Sequence, residues 1–194
     1  MNFKTIAAAA ALATLGSSAF AQAYVGLGAS TTSACLHYTI VGDCAKDGVG
    51  EKAIFGYTLP GTEFAIEGIY NHVGAFKASQ VEGRAEFKVD SVGLGGAWRP
   101  QFGAGWGGVL RAGAAYSRVR ESTWGNPQTA TGIMLDNYSR TTHSWQPYVG
   151  AGVTYAITPK IGLEADIDGN RIRDALTTTD VDSLGVTVGV NFAF

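Results

Sequence analysis

A chain of 194 residues has the length of one domain, and its formal net charge of −2 with no basic run argues against a nucleic-acid partner. Charged residues make up only 15%, against about 25% in soluble domains, which leaves little for a large water-facing surface. The 46% hydrophobic content excludes a disordered chain, and the 27 glycines are about twice ordinary usage.

At the N-terminus, Lys4 precedes an apolar stretch from Ile6 to Leu15 and the small-x-small triplet Ala19-Phe20-Ala21. This is the pattern of a secretory signal peptide. It is too short to span a bilayer, which takes about 20 apolar residues. Residues 1–21 are therefore expected to be removed, leaving 22–194 as one domain. With Lys4 gone, 13 basic residues face 16 acidic ones, a net charge of −3. No later segment offers an apolar run of helical-span length, so any membrane crossing is made by strands.

Eight strands follow, at 23–30, 51–59, 63–71, 87–99, 106–119, 145–157, 161–169 and 183–194. Successive side chains of a strand point to opposite faces. Val25, Leu27 and Ala29 alternate with Gly26, Gly28 and Ser30. Ala53, Phe55, Tyr57 and Leu59 share a parity, as do Phe64, Ile66, Gly68 and Tyr70 opposite Glu67. Val92, Leu94, Gly96 and Trp98 form the fourth apolar face, and Leu110, Ala112, Ala114 and Tyr116 the fifth, opposite Arg111. Pro147 to Tyr155 supply the sixth, and Leu163, Ala165 and Ile167 the seventh, opposite Glu164 and Asp166. The parity of 84–91 does not match that of 92–98, which predicts a bulge or an extension above a membrane. The last strand is the clearest. Leu184, Val186, Val188, Val190, Phe192 and Phe194 fall on one face, and Ser183, Gly185, Thr187, Gly189, Asn191 and Ala193 on the other. A small, uncharged second face suits an enclosed lumen rather than water. The fold class is all-β: a closed, up-and-down, eight-stranded antiparallel transmembrane barrel.

The connections agree. Pro60-Gly61, Pro100 to Gly105 and Thr158-Pro159-Lys160 are short and punctuated by Pro or Gly. Those at 31–50, 72–86, 120–144 and 170–182 are long. Short and long alternate, as periplasmic turns and extracellular loops do. Tyr24, Tyr57, Tyr70, Trp98, Phe102, Trp106, Tyr116, Trp145, Tyr155, Phe192 and Phe194 lie near strand ends, as interfacial girdles predict. Cys35 and Cys44 are the two cysteines, and an even count in an exported chain favours a disulfide. Such a ring stabilises by about 2–3 kcal/mol on the entropy model.

Four stretches, Gln22-Ala23-Tyr24-Val25-Gly26-Leu27-Gly28, Glu67-Gly68-Ile69-Tyr70, Pro147-Tyr148-Val149-Gly150-Ala151-Gly152-Val153 and Asn191-Phe192-Ala193-Phe194, give the chain its kinship. It resembles the small eight-stranded outer-membrane barrels, the OmpA-like transmembrane domain and its OmpX/Ail-type relatives. The resemblance covers residues 22–194. It implies that Val190, Phe192 and Phe194 form the terminal signal read by the barrel assembly machinery; as the sequence stops on the eighth strand, the peptidoglycan-binding domain of full-length OmpA proteins is expected to be absent.

Candidate chemistry is sparse. Glu67, Arg111, Glu164 and Asp166 lie on lumen parities, where buried charges must pair. They are expected to form an internal salt-bridge network, with a gate whose re-pairing opens an ion path as the alternative. His37, His72 and His143 are placed in loops, without a serine and an acid at catalytic spacing. Gly103, Gly105 and Gly108 match GxGxxG but lack a βαβ context, so they are turn glycines. No cofactor and no metal site is expected. In loop 120–144, Trp124 and Ile133, Met134 and Leu135 either extend the wall or present a patch to a partner. The expected function is non-enzymatic: a structural or adhesive outer-membrane barrel presenting four extracellular loops. The alternative is a narrow passive ion or small-solute pore, and a lipid-modifying enzyme is a distant third. The expected partners are outer-membrane lipids and lipopolysaccharide, the assembly machinery, and a host or surface ligand at the loops.

Overall fold

A computed structural model describes residues 22–36, 44–80, 83–125, 138–173 and 180–194. The strands are β1 (Ala23–Leu36), β2 (Cys44–Thr58), β3 (Phe64–Gln80), β4 (Gly83–Trp98), β5 (Gln101–Gly103), β6 (Trp106–Gly125), β7 (Tyr138–Ala156), β8 (Ile161–Arg173) and β9 (Asp180–Ala193). Neighbours pair antiparallel, β1 pairs with β9, and β4 pairs with β6 past the three-residue β5. The sheet therefore closes into a barrel of eight long strands, as the alternation and the loop pattern predict.

The register fixes the shape. One hydrogen-bonded row runs Tyr24, Gly56, Glu67, Gly95, Gly113, Tyr148, Asn170, Ser183 and returns to β1 at Ala34. The circuit closes ten residues further along β1. A stagger of that size over eight strands tilts them by about 40° and leaves an interior barely wide enough for side chains.

The outward parity is apolar and exposed, with Leu94 at 66% and Trp145 at 72%. Inside lie small residues, a thin apolar layer including Ile54, Ile69, Val109 and Ala115, and most of the buried charge. The polarity is inverted relative to a water-soluble protein, because here the charged groups are the core.

The short connections are as expected. Gly61 and Gly103 have φ of 71° and 93°, a left-handed conformation that favours glycine in tight turns. Thr158 Oγ1 accepts hydrogen bonds from the Lys160 and Ile161 amides at 3.2 and 3.0 Å, closing the third turn. The long connections are shorter than the sequence suggested. Strands continue through much of 31–50, 72–86, 120–144 and 170–182, where apolar alternation has ceased but ladder pairing has not. His72 and His143, expected in loops, lie on β3 and β7; His37 lies outside the described residues. The parity break near 84–91 marks a strand running on beyond the apolar belt: β4 pairs with β6 without a shift, and exposed Lys88 shares the outward parity of Val92 and Leu94, while the bulge lies on the neighbouring β3. Val73 pairs with Val89 and Phe76 with Phe87, so β3 carries one extra residue while β4 runs on.

Candidate functional site

The four lumen residues named from parity come together. Glu67 is fully buried, and Arg111, Glu164 and Asp166 are each under 5% exposed. Arg111 projects from β6, Glu67 from β3, and Glu164 and Asp166 from β8. In the circle of eight strands β3 and β8 are diametrically opposed, four places apart either way. Glu67 and Glu164 thus face each other across the full width of the lumen.

Two guanidiniums bridge them. Arg111 Nε donates to Glu67 Oε2 at 2.5 Å, and its Nη2 donates to Glu164. Arg99, just past β4, donates from Nη1 to Glu67 Oε1 at 2.9 Å and from Nη2 to Glu164 Oε2 at 2.8 Å. The result is a closed ring of alternating charge, Arg99–Glu67–Arg111–Glu164. Each carboxylate meets two guanidiniums, the planar donors best suited to it. Tyr24 donates to Glu67, and Asn191 Nδ2 donates to Glu164 Oε2 at 2.7 Å. The Arg99 guanidinium also lies over the Tyr24 ring, 4.6 Å from its centroid.

A second cluster adjoins the ring. Arg111 Nη1 is 3.5 Å from Asp166 Oδ2. Lys52, on β2, donates to Asp166 Oδ1 at 2.6 Å and also to Asp168. Four carboxylates and three cations are thus linked into one network. Beside it, a cleft lined by Gly26, Lys52, Glu164, Asp166 and Asn191 leaves room for about one water molecule. Further along, Gln146 Nε2 donates to Ser117 Oγ at 2.5 Å.

Several members were missed by sequence reasoning. Lys52 shares the parity of Ile54 and Gly56, Asp168 that of Glu164 and Asp166, and Arg99 that of Gly95 and Ala97. All three lie within the strands expected at 51–59, 87–99 and 161–169, so parity applied to every residue there would have found them. Tyr24 is a correction. It is not in the exterior girdle but inside, 7% exposed, because it shares the face of Gly26 and Gly28. The other girdle aromatics face outward, from Tyr155 and Phe194 at 39% to Trp145 at 72%.

The remaining named residues are placed as follows. Phe192 and Phe194 face out on the β9 side, and Val190 is half-buried. Cys35 and Cys44 are direct register partners across β1 and β2, with side chains outside the described set. Trp124 is on β6, opposite Arg84 of β4. Ile133, Met134 and Leu135 lie outside the described residues.

Comparison with solved structures gives the same architecture. Neisserial surface protein A (NspA) is 23% identical with a TM-score of 0.65, over 89% of this chain and 97% of that one. Ail, the attachment invasion locus protein of Yersinia pestis, is 15% identical with a TM-score of 0.55, over 88% and 98%. OprG from Pseudomonas aeruginosa is 13% identical with a TM-score of 0.55, over 89% and 96%. At these identities the likeness concerns the fold alone. A comparison with curated protein sequences found no match. Residues 5–194 match the family described as the outer membrane protein beta-barrel domain. A closed barrel with an apolar exterior, a charged core and that match over nearly its whole length is a member of the outer membrane protein beta-barrel domain family.

Proposed function

We propose that this protein is a non-enzymatic wall and platform of the outer membrane: exported by loss of residues 1–21, inserted as a barrel, and structural or adhesive in role. One observation carries the reading. Side chains from opposite walls meet in the Arg99–Glu67–Arg111–Glu164 ring, so the lumen is cross-braced. The strands meanwhile run on beyond the apolar belt and carry four connections outward. A braced cylinder makes a rigid base for loops, and loops on rigid scaffolds often carry binding. Val190, Phe192 and Phe194 serve as the signal to the assembly machinery, and a Cys35–Cys44 disulfide clamps the first connection. Trp124, at the outer end of β6, and the Ile133–Leu135 run are the candidates for a surface ligand. The structure of Ail in complex with the heparin analogue sucrose octasulfate is a precedent for polyanion binding by a barrel of this shape. Lipopolysaccharide is the expected lipid neighbour.

The test is to replace residues 126–137 by a short Gly-Ser linker and measure adhesion of expressing cells to immobilised heparin and to epithelial monolayers. Lost adhesion with an intact heat-modifiable barrel supports the platform reading. Unchanged adhesion removes the loop from it.

The pore alternative has one observation in its favour. Arg111 lies against Glu67, Glu164 and Asp166 together, so carboxylates could exchange partners around one guanidinium. Single-channel conductance in planar bilayers that changes with Glu67→Gln would carry that reading, and a silent bilayer would end it.

A further inference from the structure

The exterior has a sharply drawn polar rim. One outward row reads Ala53, Tyr70, Val92, Tyr116, Trp145 across β2, β3, β4, β6 and β7. Two residues further out, the same strands read Glu51, His72, Asp90, Arg118, His143. The next step reads Lys88, Arg120, Thr141 on β4, β6 and β7. Apolar surface gives way to charge within two residues, and the aromatic belt sits at the boundary.

The rim charges are not equivalent. His72 Nδ1 and Asp90 Oδ1 pair at 2.6 Å, and Lys88 Nζ and Glu86 Oε1 at 2.9 Å. Arg118 and Arg120 are both exposed, and neither has an ion-pair partner among the described residues. They lie two apart on one strand face, about 7 Å along the strand. Two like charges side by side on one sheet face repel unless an anion sits between them. Beside and beneath them is an aromatic step, with His143 level with Arg118 and with Tyr116 and Trp145 one row lower. The Tyr116 ring stacks on His143 at 5.6 Å and 15°, and tilts against Trp145 at 5.3 Å and 55°. Lower still, β6 turns the short exposed side chains of Ala112 and Ala114 outward.

We propose that Arg118 and Arg120, bordering the Tyr116–His143–Trp145 step, form an outward-facing site for one phosphorylated glycolipid of the outer leaflet. The guanidiniums bind the phosphate, as forked donors suit it. The exposed aromatic side chains take the sugar ring, and an acyl chain lies along the short Ala112 and Ala114 side chains of β6. The position fits this occupant. The long connections mark this end of the barrel as extracellular, so the lipid headgroups at the height of the belt belong to the outer leaflet. The inference rests on the outer-membrane reading but not on the adhesive role of the loops.

The full barrel in detergent micelles is titrated with bisphosphorylated lipid A, dephosphorylated lipid A and phosphatidylglycerol, with bound lipid counted by native mass spectrometry. One bisphosphorylated lipid A should be retained per barrel. Retention should weaken at least about tenfold for Arg118→Ala/Arg120→Ala, and recover in part for Arg118→Lys/Arg120→Lys. Both pairs of substitutions touch exposed side chains without ion pairs among the described residues, so the heat-dependent gel shift should persist in each. Equal retention of the dephosphorylated lipid, equal retention of phosphatidylglycerol, or an unchanged double-alanine barrel would each overturn the site. Failure of the outer-membrane reading looks different: the protein would stay dispersed without detergent and show no gel shift.

Discussion

The ring of Tyr24 lies flat across Gly56, so that a methyl group added at Gly56 would fall among its ring atoms. Its hydroxyl passes over that glycine to reach Glu67 on the following strand. Tyr148 does the same from the other side, since a Cβ on Gly113 would come within 2.6 Å of its Cε1 and one on Gly95 would meet its hydroxyl. Both tyrosines occupy the hydrogen-bonded row that contains Glu67. The glycines of this row serve as floor for two aromatic rings, not as turns.

Gly56→Ala is therefore expected to lift Tyr24 off the wall and loosen its bond to Glu67, at a cost of about 1–3 kcal/mol. Gly96→Ala is the control, because the nearest atom to its added methyl is 3.9 Å away. That change should be neutral or slightly stabilising. Equilibrium urea unfolding in lipid vesicles measures both, and equal stabilities would remove the ring-on-glycine account.

Arg111→Ala leaves Glu67 and Glu164 with Arg99 as their one remaining guanidinium and takes from Asp166 its second cation. Breaking a buried pair on one side costs about 3–5 kcal/mol. The same unfolding assay should show a loss of that order. A wild-type midpoint would mean that the ring does not brace the barrel.

Lys52→Met strands Asp168 and leaves Asp166 with only its longer contact to Arg111. The triple substitution Lys52→Met/Asp166→Asn/Asp168→Asn removes all three charges together and should recover most of the loss, because uncharged groups leave no unpaired ion behind. Additive damage in the triple variant would argue that Lys52 acts through packing rather than charge.

Leu94 faces outward near mid-barrel and is 66% exposed. Leu94→Arg should cost about 2–4 kcal/mol in a bilayer, the penalty for a cation on a lipid-facing midplane position. The same residue placed at Thr141, in the polar rim, should cost little. Equal effects would mean that the apolar exterior does not face lipid.

Cys35 and Cys44 are opposed in the β1–β2 ladder. Directly opposite residues of an antiparallel pair have Cα atoms about 4.5–5.5 Å apart, inside the span a disulfide bridges. Alkylation followed by mass spectrometry should label neither cysteine before reduction and both after it. Labelling without reductant would show two free thiols.

The period-two alternation, the apolar exterior and the alternating short and long connections were all legible along the chain, because each is a local pattern that a strand reads two residues at a time. Parity also placed Glu67, Arg111, Glu164 and Asp166 in the lumen. It could not say which charge meets which. Glu67 and Arg111 are 44 residues apart, and Lys52 and Asp168 are 116 apart. Their meeting depends on eight-strand closure, which sets β3 opposite β8, and on the ten-residue stagger, which fixes the heights at which Glu67, Glu164 and Arg99 meet. Tyr24 shows the same division: its side of the strand was readable, but only the closed wall reveals Gly56 as its bed and Glu67 as its partner. Side-chain direction is a property of one strand, whereas pairing across a lumen belongs to the whole cylinder.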